Sequence, residues 1–160
     1  MDLGLLHFHN FLRWVILLLL LAAIIKSVAG MAGNKPFTNG DKKLSTFLMI
    51  SAHVMFLVGL YQVLAGRYGI FTSVRPDDIP LMQDKFYRFF WVEHPLAMFI
   101  AIALITVGRK QTKKNISDGV KHKKVFWFYF IALILILAAV PWPFREVIAR
   151  PLFPGMPVPS

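Results

Sequence analysis

Four stretches of the chain run almost free of charge, at about 8–31, 44–66, 87–108 and 124–140. In the first, Val15 to Ile25 is nearly all Leu, Ile and Ala, with Arg13 and Trp14 at one edge and Lys26 at the other. Each stretch is near the ~20 residues that ~30 Å of hydrocarbon requires of a helix. Inside a bilayer such segments must be helical, because a helix satisfies its own backbone polar groups. The pattern predicts an all-α protein, a four-helix transmembrane bundle that forms one integral membrane domain over 1–160. The first stretch exceeds the ~7–15 apolar residues of a signal-peptide core, so it is expected to be a retained span.

The polar segments have distinct characters. Ala32 to Lys43 carries the turn signals Gly33-Asn34-Lys35-Pro36 and Asn39-Gly40-Asp41. Arg67 to Phe86, with Pro76 and Pro80, is the longest connection and is expected to fold over one membrane face. The tail from Pro141 to Ser160 is too rich in Pro to continue a helix.

Composition agrees with the pattern. The 160 residues are 57% apolar and 16% charged, against about 45–50% and about 25% in a soluble domain. Cys is absent, which excludes disulfides, thiolate metal sites and Cys-linked haem. The net charge of +10 lies in loops beside apolar spans, so a phospholipid surface accounts for it better than nucleic acid does. Lys26, Lys35, Lys42 and Lys43 border the first loop, and seven further Lys and Arg lie between Arg109 and Lys124. These loops outweigh the second loop and the termini, so both termini are expected outside, in the periplasm if the membrane is a bacterial inner membrane.

Polar groups within the spans are few, and ionised at the bilayer centre each would cost about 2.5–3.5 kcal/mol on insertion scales. They are His7, His9, Arg13, His53, Glu93 and His94. His53 and His94 are the deepest imidazoles and form the first-choice pair of metal or haem ligands, with His9 as the substitute for His53. Pro95 leaves the carbonyl of Trp91 without its usual donor and is expected to kink the third span. Ala97 and Ala101 follow His94 at helical spacing and leave room for a close helix or a flat ligand. Arg13 is expected to pair with Glu93, to hold a haem propionate or to snorkel to the headgroups. His122, within Lys121-His122-Lys123-Lys124, is expected to be solvated.

The opening His7-Phe8-His9-Asn10-Phe11-Leu12-Arg13-Trp14 resembles the start of small four-span bacterial membrane proteins described as cytochrome b-like. Ala52-His53, Val92-Glu93-His94-Pro95, Lys121-His122-Lys123-Lys124 and Pro141-Trp142-Pro143 extend the likeness over most of the chain. It is also loosely similar to membrane cytochromes of the b561 type, which hold two haems; the fourth span here has no intramembrane His, so the likeness does not extend to a second haem. The resemblance implies heme b and electron transfer to or from a quinone or a partner subunit. The other functions open to the sequence are a cofactor-free accessory subunit of a larger membrane complex and a small transporter.

Overall fold

The computed structural model describes residues 2–75, 79–153 and 155–156. Four long helices appear where the apolar stretches predict them: α1 (Asp2–Ala32), α2 (Asn39–Ala65), α3 (Lys85–Gln111) and α4 (Asp118–Ala139). All four are long and apolar enough to cross a membrane. Each extends beyond its apolar stretch at one end or both; polar side-chain caps set the starts of α2 and α3.

The caps are local chemistry. Asn34 takes a left-handed conformation (φ 47°) after α1, and the Lys35 N–H then reaches back to the Gly30 carbonyl at 3.0 Å. Thr38 and Asp41 form a reciprocal capping box at the start of α2. Asp84 opens α3 by accepting from the N–H groups of Phe86 and Tyr87 at 3.0 and 3.1 Å.

At Pro95, where a kink is expected, α3 has a wider turn. Phe89–Glu93 is a π-helical turn, and the His94 N–H bonds to the Phe89 carbonyl. Such a turn inserts one residue, which absorbs the missing N–H of the proline without breaking the helix.

Two prolines shape the end of α4 in the same way. Pro141 and Pro143 have no N–H for the carbonyls of Leu137 and Ala139, four residues earlier. Trp142 Nε1 donates to Leu137 O at 2.8 Å, and His94 Nδ1 of α3 takes Ala139 O at 2.8 Å. Arg145 serves the Ala138 carbonyl between them at 3.1 Å.

The helices form a ring in which α1 borders α2 and α4, and α3 borders the same two. α1 and α3 therefore face each other across a diagonal. Leu20, Leu48, Ala52, Ala101, Ile105, Tyr129 and Ala132 fill the centre and are almost fully buried. Leu18, Leu57, Phe99 and Ile134 point outward, as lipid-facing side chains do. In hydrocarbon these exposed faces gain nothing by association, so close packing and interhelical polar contacts hold the bundle.

The second loop and the tail close one end. Pro151 O accepts from Asn10 Nδ2 at 3.3 Å, and the Arg150 guanidinium lies over the rings of Tyr68, Phe86 and Phe90. The start of α1, the long loop and the tail thus share one face. At the other end Lys26 and Asp41 pair at 3.1 Å, and Arg109 Nε donates to Thr46 Oγ1 at 2.8 Å.

His122 corrects the expectation of a solvated residue. It is 3% exposed, against Gly30 of α1 and 4.8 Å from the Phe37 ring. It begins the buried stripe of α4, which continues through Val125, Tyr129, Ala132, Ile136 and Ala139. Neither of its ring nitrogens has a hydrogen-bond partner among the described residues. Its basic neighbours point elsewhere on the helix, so a run of cations in the sequence did not place the imidazole in solvent.

Candidate functional site

The structure brings His9 and His94 together. Their ring centroids are 6.3 Å apart, with the planes tilted by 53°. His9 comes from the outer part of α1 and His94 from α3 directly after the π turn, so the pair spans the diagonal at the end closed by loop and tail. His9 rests on Gly59 of α2, where a Cβ would lie 3.4 Å from its Cε1. Phe89 borders His94 at 5.8 Å between centroids.

The two rings are held differently. A carbonyl can only accept, so the bond from His94 to Ala139 O fixes Nδ1 as the N–H and leaves Nε2 of the neutral ring with a free lone pair. That is the arrangement by which a ligating imidazole is oriented from behind. In His9, Nδ1 is buried and has no hydrogen-bond partner among the described residues. An orphaned polar atom in a membrane interior is costly unless something supplies the missing contact.

His53 is not part of this pair. Its side chain is exposed on the outer face of α2, and its Nδ1 bonds to Met49 O at 2.8 Å, one turn back on its own helix. The neighbours of His53 on α3 are Phe99, Ile102, Ala103 and Thr106, whereas His94 turns toward α1 and α4. The expected meeting of His53 and His94 does not occur: the interior stripe of α2 runs through Ser45, Leu48 and Ala52, and one further residue turns 100° away from it. The named substitute, His9, takes that place opposite His94.

Arg13 follows His9 by one turn and is 8% exposed. Its Nη2 donates to Asn10 Oδ1 at 2.7 Å and to Leu152 O at 2.5 Å, and Trp14 Nε1 joins the same carbonyl at 2.9 Å. The expected ion pair with Glu93 is absent. Glu93 is exposed and bonds to Arg88 Nε at 2.7 Å, since the π turn leaves its side chain on the outside of α3. Arg13 instead pins the tail to α1.

This exchange of partners ranks the two residues in stability. Arg13→Gln removes a charge-assisted bond to a chain carbonyl and is expected to cost about 1.5–3 kcal/mol. Glu93→Gln loses an exposed pair worth about 0–1 kcal/mol. Thermal unfolding in detergent compares them, and equal melting temperatures would count against the anchoring role of Arg13.

Among the described residues no group of three or more His, Asp and Glu is gathered to hold a metal by itself. The donor set is two imidazoles, which suits a metal whose remaining positions are already filled. With their ring centroids 6.3 Å apart, the two imidazoles could both reach one metal ion. Sequence reasoning ranked this pair second because estimated depths placed His9 too close to the surface. Pro143 was an available signal: it predicts a free carbonyl at Ala139, and a buried imidazole is a suitable donor for it. No family model, curated protein or solved structure matches the chain.

Proposed function

We propose that the chain is a membrane-embedded b-type cytochrome in which His9 and His94 would hold one heme b. The observation that carries the reading is the imidazole pair, 6.3 Å apart on the diagonal of the bundle, with one ring oriented by a helix-end carbonyl and the other holding an orphaned nitrogen. Bound haem would supply a one-electron couple. The chain's own groups then have separable tasks. His94 presents Nε2 because Ala139 holds its Nδ1–H. The chain turns to an extended conformation at Val140, before Pro141, and so leaves that carbonyl free of the helix ladder. Arg13 places a fixed positive charge one turn from His9, and the tail it anchors covers that end from water. Exclusion of water strengthens every charge interaction inside.

The partners in this reading are a lipid-soluble quinone or quinol and neighbouring subunits of a respiratory-type complex. The purified protein is expected to contain one haem b by extraction and to give a sharp low-spin band in its reduced-minus-oxidised spectrum. A colourless protein, taken from membranes with sufficient haem, would end the reading. His9 and His94 would then be a polar pin between α1 and α3, and an accessory subunit the better description.

The membrane is proposed to be a bacterial inner membrane with both termini periplasmic. Eleven of the 18 Lys and Arg flank the first and third loops, at the end opposite the tail. A C-terminal alkaline phosphatase fusion is expected to be active in intact cells. An inactive fusion beside an active cytoplasmic reporter at the same position would invert the topology.

A further inference from the structure

At the end of the bundle opposite the tail, a cavity of about 10 Å³ lies where α1, α2 and α4 meet. Ala23, Lys26, Ser27, Asp41, Ser45 and Val125 border it. That is about the room one water molecule requires, and no larger ligand fits.

Its polar walls have bonding capacity to spare. Ser27 and Ser45 are 2% and 1% exposed, and neither hydroxyl bonds back to its own helix as those of Thr46 and Thr106 do. The Asp41 carboxylate offers about four acceptor sites when ionised. Its Oδ2 takes the N–H and the hydroxyl of Thr38 at 2.8 and 2.7 Å, and its Oδ1 takes Lys26 Nζ at 3.1 Å. One site on Oδ1 remains. A further polar group stands behind Ser45. Tyr129 is 0% exposed, and its hydroxyl turns toward Ser45 but has no hydrogen-bond partner among the described residues. Buried groups left in this condition are costly.

The walls also define the occupant. Asp41 can only accept, so the occupant must donate to it. The serines have protons to give, so the occupant must accept as well. Lys26 already sets a positive charge beside Asp41 and would repel a metal ion or an ammonium. Water is neutral, donates and accepts. The Lys26 side chain is half exposed, so water has a way in from the membrane surface.

We propose that this cavity is a binding site for one exchangeable water, which accepts from Ser27 and Ser45, donates to Asp41 Oδ1 and so ties α1 to α2. Three bonds are usual for a buried water. A Ser45 that gives its proton to the water keeps a lone pair for the Tyr129 hydroxyl. A line of hydrogen bonds then runs from the buried phenol to the Lys26–Asp41 pair. Such polar links supply cohesion that apolar faces lack in hydrocarbon.

The test uses the full chain in phosphatidylcholine nanodiscs, deuterated except for the methyl groups of Ala and Val. The Ala23 and Val125 methyls are expected to show cross-peaks to water that are opposite in sign in NOE and ROE spectra, the mark of a water that tumbles with the protein. Ala101 and Ala132, in the dry centre, should show none. Ser27→Ala and Ser45→Ala should each lower the melting temperature in detergent. The double variant should lose less than the two single losses together, because the first change already loosens the shared water. Replacing sodium chloride by choline chloride should leave the Ala23 and Val125 methyl resonances in place. Absence of the water cross-peaks in the unmodified protein would overturn the proposal whether or not the variants fold. So would cross-peaks of equal sign in both spectra, which report water passing by. A double loss equal to or above the sum would mean that the serines share no partner, and resonances that move with sodium would give the cavity to a metal ion.

Discussion

Replacing His94 by Ala is expected to abolish the low-spin haem band, and His9→Ala is expected to do the same. In the reading proposed above, each removes one of the two residues that would hold the haem, so the spectrum should turn high-spin or the haem should be lost. His53→Ala should leave the band in place, because that ring points to lipid and is bonded to its own helix. His122→Ala should also leave it, since that imidazole lies at the other end of the bundle against Gly30 and Phe37. The comparison separates the two ligand pairs that the sequence allowed. Loss of the band in His53→Ala with retention in His9→Ala would return the assignment to His53 with His94.

The number of spans was legible because hydrocarbon imposes one demand on every residue it surrounds. The facing of individual side chains is set by finer features, and those were only partly read. In α4, His122, Val125, Tyr129, Ala132, Ile136 and Ala139 recur at three and four residues, so the stripe that begins at His122 was visible in the sequence. The surrounding Lys121, Lys123 and Lys124 drew attention to charge instead of spacing. In α1, His9 continues a stripe through Arg13, Ile16, Leu20, Ala23 and Ser27. In α3, His94 stands one turn above Met98 and two above the buried Ala101. His53 falls beside the stripe of α2, not on it. Periodicity therefore separates the three interior imidazoles from the exposed His7 and His53, whereas depth estimates from approximate span ends do not. Two further features were not legible. The π turn changes the rotation of everything before His94, and its presence follows from Pro95 but its place does not. The return of the tail onto Arg13 and Trp14 depends on chain carbonyls, which carry no residue identity for a pattern to show.

Gly30→Ala is expected to destabilise the bundle more than any other single-methyl change in α1. A Cβ at that position would lie 2.4 Å from Cε1 and from Nε2 of His122, inside the contact distance that real side chains observe. His122 cannot easily withdraw. It is 3% exposed and has Phe37 on another side, so the added methyl must separate α1 from α4. Overpacking of this kind costs typically 1–3 kcal/mol and disturbs neighbouring side chains. Small residues at helix contacts in membranes act by this close approach. His122→Ala removes the obstacle and also two ring nitrogens without partners among the described residues, so its own cost should be smaller than that of an ordinary large-to-small change. The double variant Gly30→Ala with His122→Ala should then recover most of the loss caused by Gly30→Ala alone. Two residues in direct contact are expected to show such non-additivity, by about 0.5–3 kcal/mol. Unfolding of the four proteins in the same detergent measures it. Additive losses would mean that His122 is not the group that Gly30 accommodates, and wild-type stability of Gly30→Ala would mean that α1 and α4 do not approach this closely in the membrane.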